Sequence, residues 1–282
     1  MSAESEGGPV KTTGGRALAW ILRLWILLAL GIVLADMADS VKIPWLNDPA
    51  REALPQPSRL DQAGAPVPMP LEPAEPGSQL RPYDPGAFPL APDGGLPHLP
   101  GRDEPLEPSR GPMTFSFTEL EGRPALVAVG MVTSESAAAL RRADLQSDER
   151  AEILALLSPG GYVQGALAMG DYLRARGMET LVPEGGFCAS ACPLVLAAGE
   201  RRRVARDAWV GLHQPYLAPG SGLSADRAVA DVQHLNYEIL TRLDHWGVDP
   251  RIWTHALQAP PTQMYVLLPE EMMAYRLAHS LF

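Results

Sequence analysis

The sequence predicts an α/β fold, with buried strands and amphipathic helices alternating in its C-terminal part, behind an N-terminal transmembrane helix and a proline-rich stalk. Three observations carry this. Short continuous apolar runs at 125–132 and 153–157 read as strands buried on both faces. Each is followed by a segment of helical periodicity, and strand–helix alternation argues for layered α/β packing. Most of the 29 prolines lie ahead of residue 113, together with one long apolar run, so composition divides the chain before any element is assigned.

The run from Ala17 to Ala35 is broken by a single charge, Arg23, and comes close to the ~20 apolar residues that a helix needs to cross a bilayer. Lys11, Arg16 and Arg23 lie before it or early in it, and Asp36 and Asp39 follow it. The positive-inside rule then makes residues 1–16 a cytoplasmic tail, 17–35 the anchor, and everything beyond exported to the periplasmic side. A cleaved signal peptide is the alternative, because Val33–Leu34–Ala35 places small residues at suitable offsets. Residues 36–112 interleave proline with small, acidic and polar residues, as at Pro66, Pro68, Pro70, Pro105 and Pro108. Such a stretch buries too little apolar surface to offset its ordering entropy and is expected to be an extended or disordered stalk. The folded domain is expected at 113–282.

Within that domain Ser134 can cap a helix running to about Arg142. Tyr162 to Arg176 places Val163, Ala166, Leu167, Gly170 and Leu173 on one face. Thr180–Pro183 and Ala208–Leu212 read as further strands. Ser224 starts a long helix to about Trp246 with Ala228, Val232, Leu235, Ile239 and Leu243 as its stripe. The net charge of −10 argues against nucleic acid as a partner. The one dense basic stretch, Arg201, Arg202, Arg203 and Arg206, reads as a solvated turn. Two cysteines with no histidine at ligand spacing cannot complete a structural zinc site, so no metal is implied.

Three motifs carry chemistry. Ser158-Pro159-Gly160-Gly161 stands between a buried strand and a helix, where paired glycines let backbone N–H groups approach a ligand as an oxyanion hole requires. Ser190 lies in Gly185-Gly186-Phe187-Cys188-Ala189-Ser190-Ala191-Cys192, at a strand-to-helix junction marked by Pro193. His213-Gln214-Pro215 ends the next strand, with an imidazole available to take a proton from a hydroxyl.

In this order and at these separations the three motifs resemble the proteolytic subunit of the Clp protease, ClpP, over residues 124 to 280. The resemblance implies the ClpP/crotonase-type ββα superhelix. It implies Ser190 as nucleophile, His213 as base, and the N–H groups of Gly161 and Ala191 as oxyanion donors. The long helix resembles the ClpP handle that packs rings, which implies a homo-oligomer, and 265–277 resembles the closing strand and helix. The chain departs from the family in one respect: no Asp or Glu lies between Arg251 and Pro269, where ClpP carries its catalytic acid. What remains is a Ser–His dyad, helped by Gln258, Thr262 or a backbone carbonyl, or else a retired site serving as a scaffold. Ser–Lys chemistry is closed, since the lysines are Lys11 and Lys42.

The expected activity is therefore ATP-independent hydrolysis of peptide or other acyl bonds, without a cofactor. An exported domain meets neither ATP nor an unfoldase, so substrates would be short or already unfolded. An acyl-CoA crotonase would need the same turn but neither Ser190 nor His213. With no carboxylate beside it, His213 should titrate near ~6.5. Cys188 and Cys192 read either as a disulfide across the elbow of an exported domain or as two buried thiols.

Overall fold

Side-chain alternation decides how the strands are layered. In the computed structural model residues 69–70, 74–84, 89–90, 95–147, 149–216 and 224–282 are described, and the anchor at 17–35 and much of the stalk lie outside them. Strands β1 (Leu80–Pro82), β2 (Thr114–Leu120), β3 (Arg123–Val129), β4 (Ile153–Leu157), β5 (Glu179–Val182), β6 (Phe187–Ala189), β7 (Arg202–Val204), β8 (Trp209–Leu212), β9 (Gln263–Val266) and β10 (Ser280–Leu281) form two sheets. The larger runs β10-β7-β5-β4-β3-β2 and is parallel except for the β2–β3 hairpin. The smaller runs β1-β9-β8-β6, with only β8 and β6 parallel. Residues Met69–Pro70 and Pro89–Leu90 make a separate short parallel pair.

Helices α1 (Ser136–Gln146), α2 (Val163–Arg176), α3 (Cys192–Ala197), α4 (Ala225–His245), α5 (Trp253–Gln258) and α6 (Pro269–Ala274) complete the fold. Leu126, Ala128, Leu154 and Leu156 share a core cluster with Leu140 of α1, Leu167 and Leu173 of α2, and Ile239 and Leu243 of α4. The alternate residues Ala125, Val127, Ile153 and Ala155 belong to a second cluster, capped by Leu99 and Leu106. Both faces of β3 and β4 are thus dry, as their unbroken apolar runs require.

The domain boundary read from the sequence is corrected by this second cluster. Leu99 is 4% exposed, and His98 and Leu106 are tied by backbone hydrogen bonds to Glu184 and Pro97. Residues 80–82 pair with β9 as an edge strand. Parts of the stretch read as stalk are therefore integral to the domain. A few apolar side chains suffice there, because they complete a core built by other segments.

The arginine stretch is likewise corrected. Arg202 is 1% exposed, and its guanidinium donates to the carbonyls of Ala197, Gly199, Trp246, Arg276 and Leu277. It satisfies chain ends that converge from α3, α4 and α6, and burial lowers its pKa to about 10. Among the described residues no helix is long and apolar enough to cross a membrane.

Candidate active site

Strand register alone brings the predicted nucleophile and base together. Strands β6 and β8 are parallel neighbours with Cys188 opposite Val210 and Ala189 opposite Gly211, so both leave the sheet at the same end. Ser190 N–H donates to the Gly211 carbonyl at 2.9 Å, and two residues beyond Gly211 the chain delivers His213. His213 Nε2 lies 2.7 Å from Ser190 Oγ.

Ser190 has φ of 60°, the left-handed region that side chains other than glycine avoid. The strain sits on a sharp strand-to-helix turn, the geometry of a nucleophile elbow, and turns the hydroxyl out of the sheet. Cys188 and Cys192 are joined by a disulfide with their Cα atoms 5.1 Å apart, closing a covalent loop around Ser190. The helix that follows, α3, is only six residues long. Any anion at Ser190 would therefore meet individual N–H groups rather than a developed helix dipole.

The glycine turn is fastened to the same elbow. Ser158 N–H donates to Phe187 O and Ala189 N–H to Ser158 O, which extends β4 alongside β6. The buried Ser158 hydroxyl donates to the Gly130 carbonyl at 2.7 Å and accepts from Gly160 N–H at 3.1 Å. A Cβ on Gly160 would fall 2.4 Å from Ser190 Cβ and 2.8 Å from Ala191 N, so only glycine allows this approach. The bridge to Val132 uses the Gly160 carbonyl and the Tyr162 N–H, which directs the Gly161 N–H to the opposite side. Among the described residues neither Gly161 N–H nor Ala191 N–H has a hydrogen-bond partner.

The base is more isolated than the sequence suggests. His213 is 5% exposed, and its Nδ1 is buried without a hydrogen-bond partner among the described residues. Desolvation lowers its pKa to about 4, opposed only in part by the backbone of Gln214, so the expected titration near 6.5 is corrected downward by burial. Of the predicted helpers, a backbone group does act on the imidazole, that of Gln214, whereas Gln258 and the Thr262 carbonyl bond other groups. Gln258 Nε2 pairs with His255 Nδ1 at 3.2 Å, and the Thr262 carbonyl accepts from Tyr83 N–H at 2.9 Å.

Tyr83 is the site residue that sequence reasoning missed. It follows β1, is 8% exposed, and packs its ring 5.4 Å from the His213 ring, centroid to centroid, at an interplanar angle of 34°. Its hydroxyl donates to the Pro159 carbonyl at 3.0 Å. The signal available was an aromatic residue between Pro82 and Pro85 in an otherwise polar stretch. The half-exposed Tyr216 approaches His213 from the imidazole's own loop, with ring centroids 5.8 Å apart.

A hydroxyl hydrogen-bonded to a neutral imidazole beside unpaired N–H groups has the parts for nucleophilic attack on an acyl carbon and for holding the oxyanion that results. Among the described residues no group of three or more His, Cys, Asp or Glu side chains is arranged to hold a metal ion.

No family model matches the chain, and no curated protein matches it. Among solved structures, a ClpP1 mutant from Listeria monocytogenes is similar with a TM-score of 0.44 at 14% sequence identity, over 56% of this chain and 90% of that one. So slight a likeness concerns the path of the chain and not its chemistry.

Proposed function

We propose that the chain is a membrane-tethered, ATP-independent serine hydrolase of the ClpP type, cleaving peptide or other acyl bonds outside the cytoplasm. The 2.7 Å contact between Ser190 Oγ and His213 Nε2 carries this reading. Ser190 attacks the acyl carbon while His213 Nε2 takes its proton, and Gly161 and Ala191 N–H groups receive the oxyanion. His213 then returns the proton to the leaving group, and water releases the acyl-enzyme by the same steps.

The partnerless Nδ1 favours a second reading, a weakened or retired site on a binding scaffold. Imidazolium formed in the transition state would have no carboxylate among the described residues to stabilise it, and a base of such low pKa drives proton abstraction poorly. Fluorophosphonate labelling of the full chain separates the two. Slow labelling abolished in both Ser190→Ala and His213→Ala, with the double variant no worse than either, supports the hydrolase. A folded wild type that never labels supports the scaffold.

Export is supported by the charge asymmetry about the 17–35 run and by the Cys188–Cys192 bond, which suits an oxidising compartment. In a bacterial host, reporters fused after residue 112 should be active when they require export and silent when they require the cytoplasm. The reverse pattern would overturn the tether.

A further inference from the structure

Among the described residues no acid orients the imidazole of the dyad, yet His213 is packed on every side that the structure describes. The groups facing it are Ser190 from the end of β6, Tyr83 from the segment after β1, and Tyr216 and the Gln214 backbone from its own loop. Among the described residues no Asp, Glu, Lys or Arg side chain is paired with it. Tyr83 touches both halves of the site, since its ring lies against the imidazole and its hydroxyl holds the carbonyl just ahead of Gly160 and Gly161.

Tyr83 is itself held firmly. Its N–H bonds Thr262 O, and β1 before it pairs with β9 through Leu80 opposite Tyr265, Arg81 opposite Met264 and Pro82 opposite Gln263. Strand β9 pairs in turn with β8, where Tyr265 stands opposite Leu212, the residue before His213. Tyr83 also shares a buried cluster with Phe187, Ala189 and Trp209, the strands that end in Ser190 and His213. A rigid path therefore runs from Tyr83 to each catalytic group.

We propose that Tyr83 is the positioning residue of the dyad, fixing the His213 ring plane by aromatic packing and the oxyanion turn through the Pro159 carbonyl, in place of the hydrogen bond that an acid supplies in a triad. This rests on the hydrolase reading of Ser190 and His213. An aromatic face restrains the tilt of an imidazole and keeps water from its edge, but it gives the imidazolium no charge to lean on. Positioning is thereby separated from electrostatic support.

The test uses the full chain and two readouts, the pH profile of fluorophosphonate labelling and the NMR titration of His213, whose resonance is identified by its loss in His213→Gln. In Tyr83→Ala, water reaches the imidazole, so the His213 midpoint should rise from about 4 toward 6.5 while the plateau labelling rate falls. The loss should be about tenfold or more, the scale set by misplacing a catalytic group. Tyr83→Leu fills the apolar space but presents no ring and no hydroxyl, so it should keep the low midpoint and still lose plateau rate. Tyr83→Phe keeps the ring, so the midpoint stays and only the turn loosens.

A structural role alone would lower thermal stability in these variants without moving the midpoint or the plateau, and that result would overturn the proposal. If Tyr83→Ala does not fold, an unchanged plateau in Tyr83→Leu overturns it equally. If the wild type never labels, the hydrolase reading fails. The His213 titration then decides separately, and a midpoint that stays near 4 in folded Tyr83→Ala removes Tyr83 from any role at His213.

Discussion

Single residues set the two sensitivities of the site. Gly160 stands where a methyl group would strike Ser190 Cβ, Ala189 O at 2.5 Å and Ala191 N, at a φ of 97°. Gly160→Ala should therefore cost about 2–4 kcal/mol of stability and abolish fluorophosphonate labelling, because the turn must retreat from the elbow. Gly177→Ala, at a helix end with open space around it and a φ of 65°, should cost only ~1 kcal/mol and label normally. Equal labelling of the two variants, measured beside chemical denaturation, would mean that the turn is not part of the site. His213 sets the dependence on pH. With its midpoint near 4, labelling should be half-maximal there rather than near 6.5. Stability follows with a definite sign. Above pH 6.5 the imidazole is neutral in both folded and unfolded chains; between 6.5 and about 4 only the unfolded chain binds the proton, so stability falls as pH drops through that window. A denaturation midpoint that is flat across the window, in comparison with His213→Gln, would contradict the buried neutral imidazole.

At the scale of elements, legibility tracked how local the cause of each element was. The β4 strand and helices α2 and α4 were readable because an unbroken apolar run or a clean helical stripe dictates them from within. The β2–β3 hairpin was overlooked although its turn left a trace, since Glu121 and Gly122 both have positive φ, the conformation of a two-residue hairpin turn. Strand β1 could not be read, because its residues are short, proline-bearing and half-exposed, and only pairing with the distant β9 makes them a strand. Arg202 misled for a related reason: a guanidinium among arginines reads as surface until helix ends from elsewhere in the chain supply its acceptors. At the candidate site, Ser190, His213 and the glycine turn could be singled out because each is a local motif, and strand register places them together. Tyr83 was not, because its purpose exists only across a gap in sequence.

For the whole molecule, the correction at the N-terminal side changes what counts as the domain. A chain beginning at residue 113 would lose Leu99 and Leu106 from the face formed by Ala125, Val127, Ile153 and Ala155, and would lose Tyr83 with β1. It should unfold at lower denaturant than a chain beginning at residue 69, bind hydrophobic dyes, and fail to label. Indistinguishable unfolding of the two would restore residue 113 as the boundary. The pairing of β1 with β9 also fixes an order of events. Gln79 bonds Tyr265 across a sequence separation of 186 residues, so the first described strand of the site sheet finds its partner only when nearly the whole chain is available. In synthesis from the N-terminus Tyr83 thus emerges early and waits for β9 to seat it. Until β9 forms, the β6–β8 register can bring Ser190 beside His213, but the Tyr83 ring that packs on the imidazole has no strand to hold it.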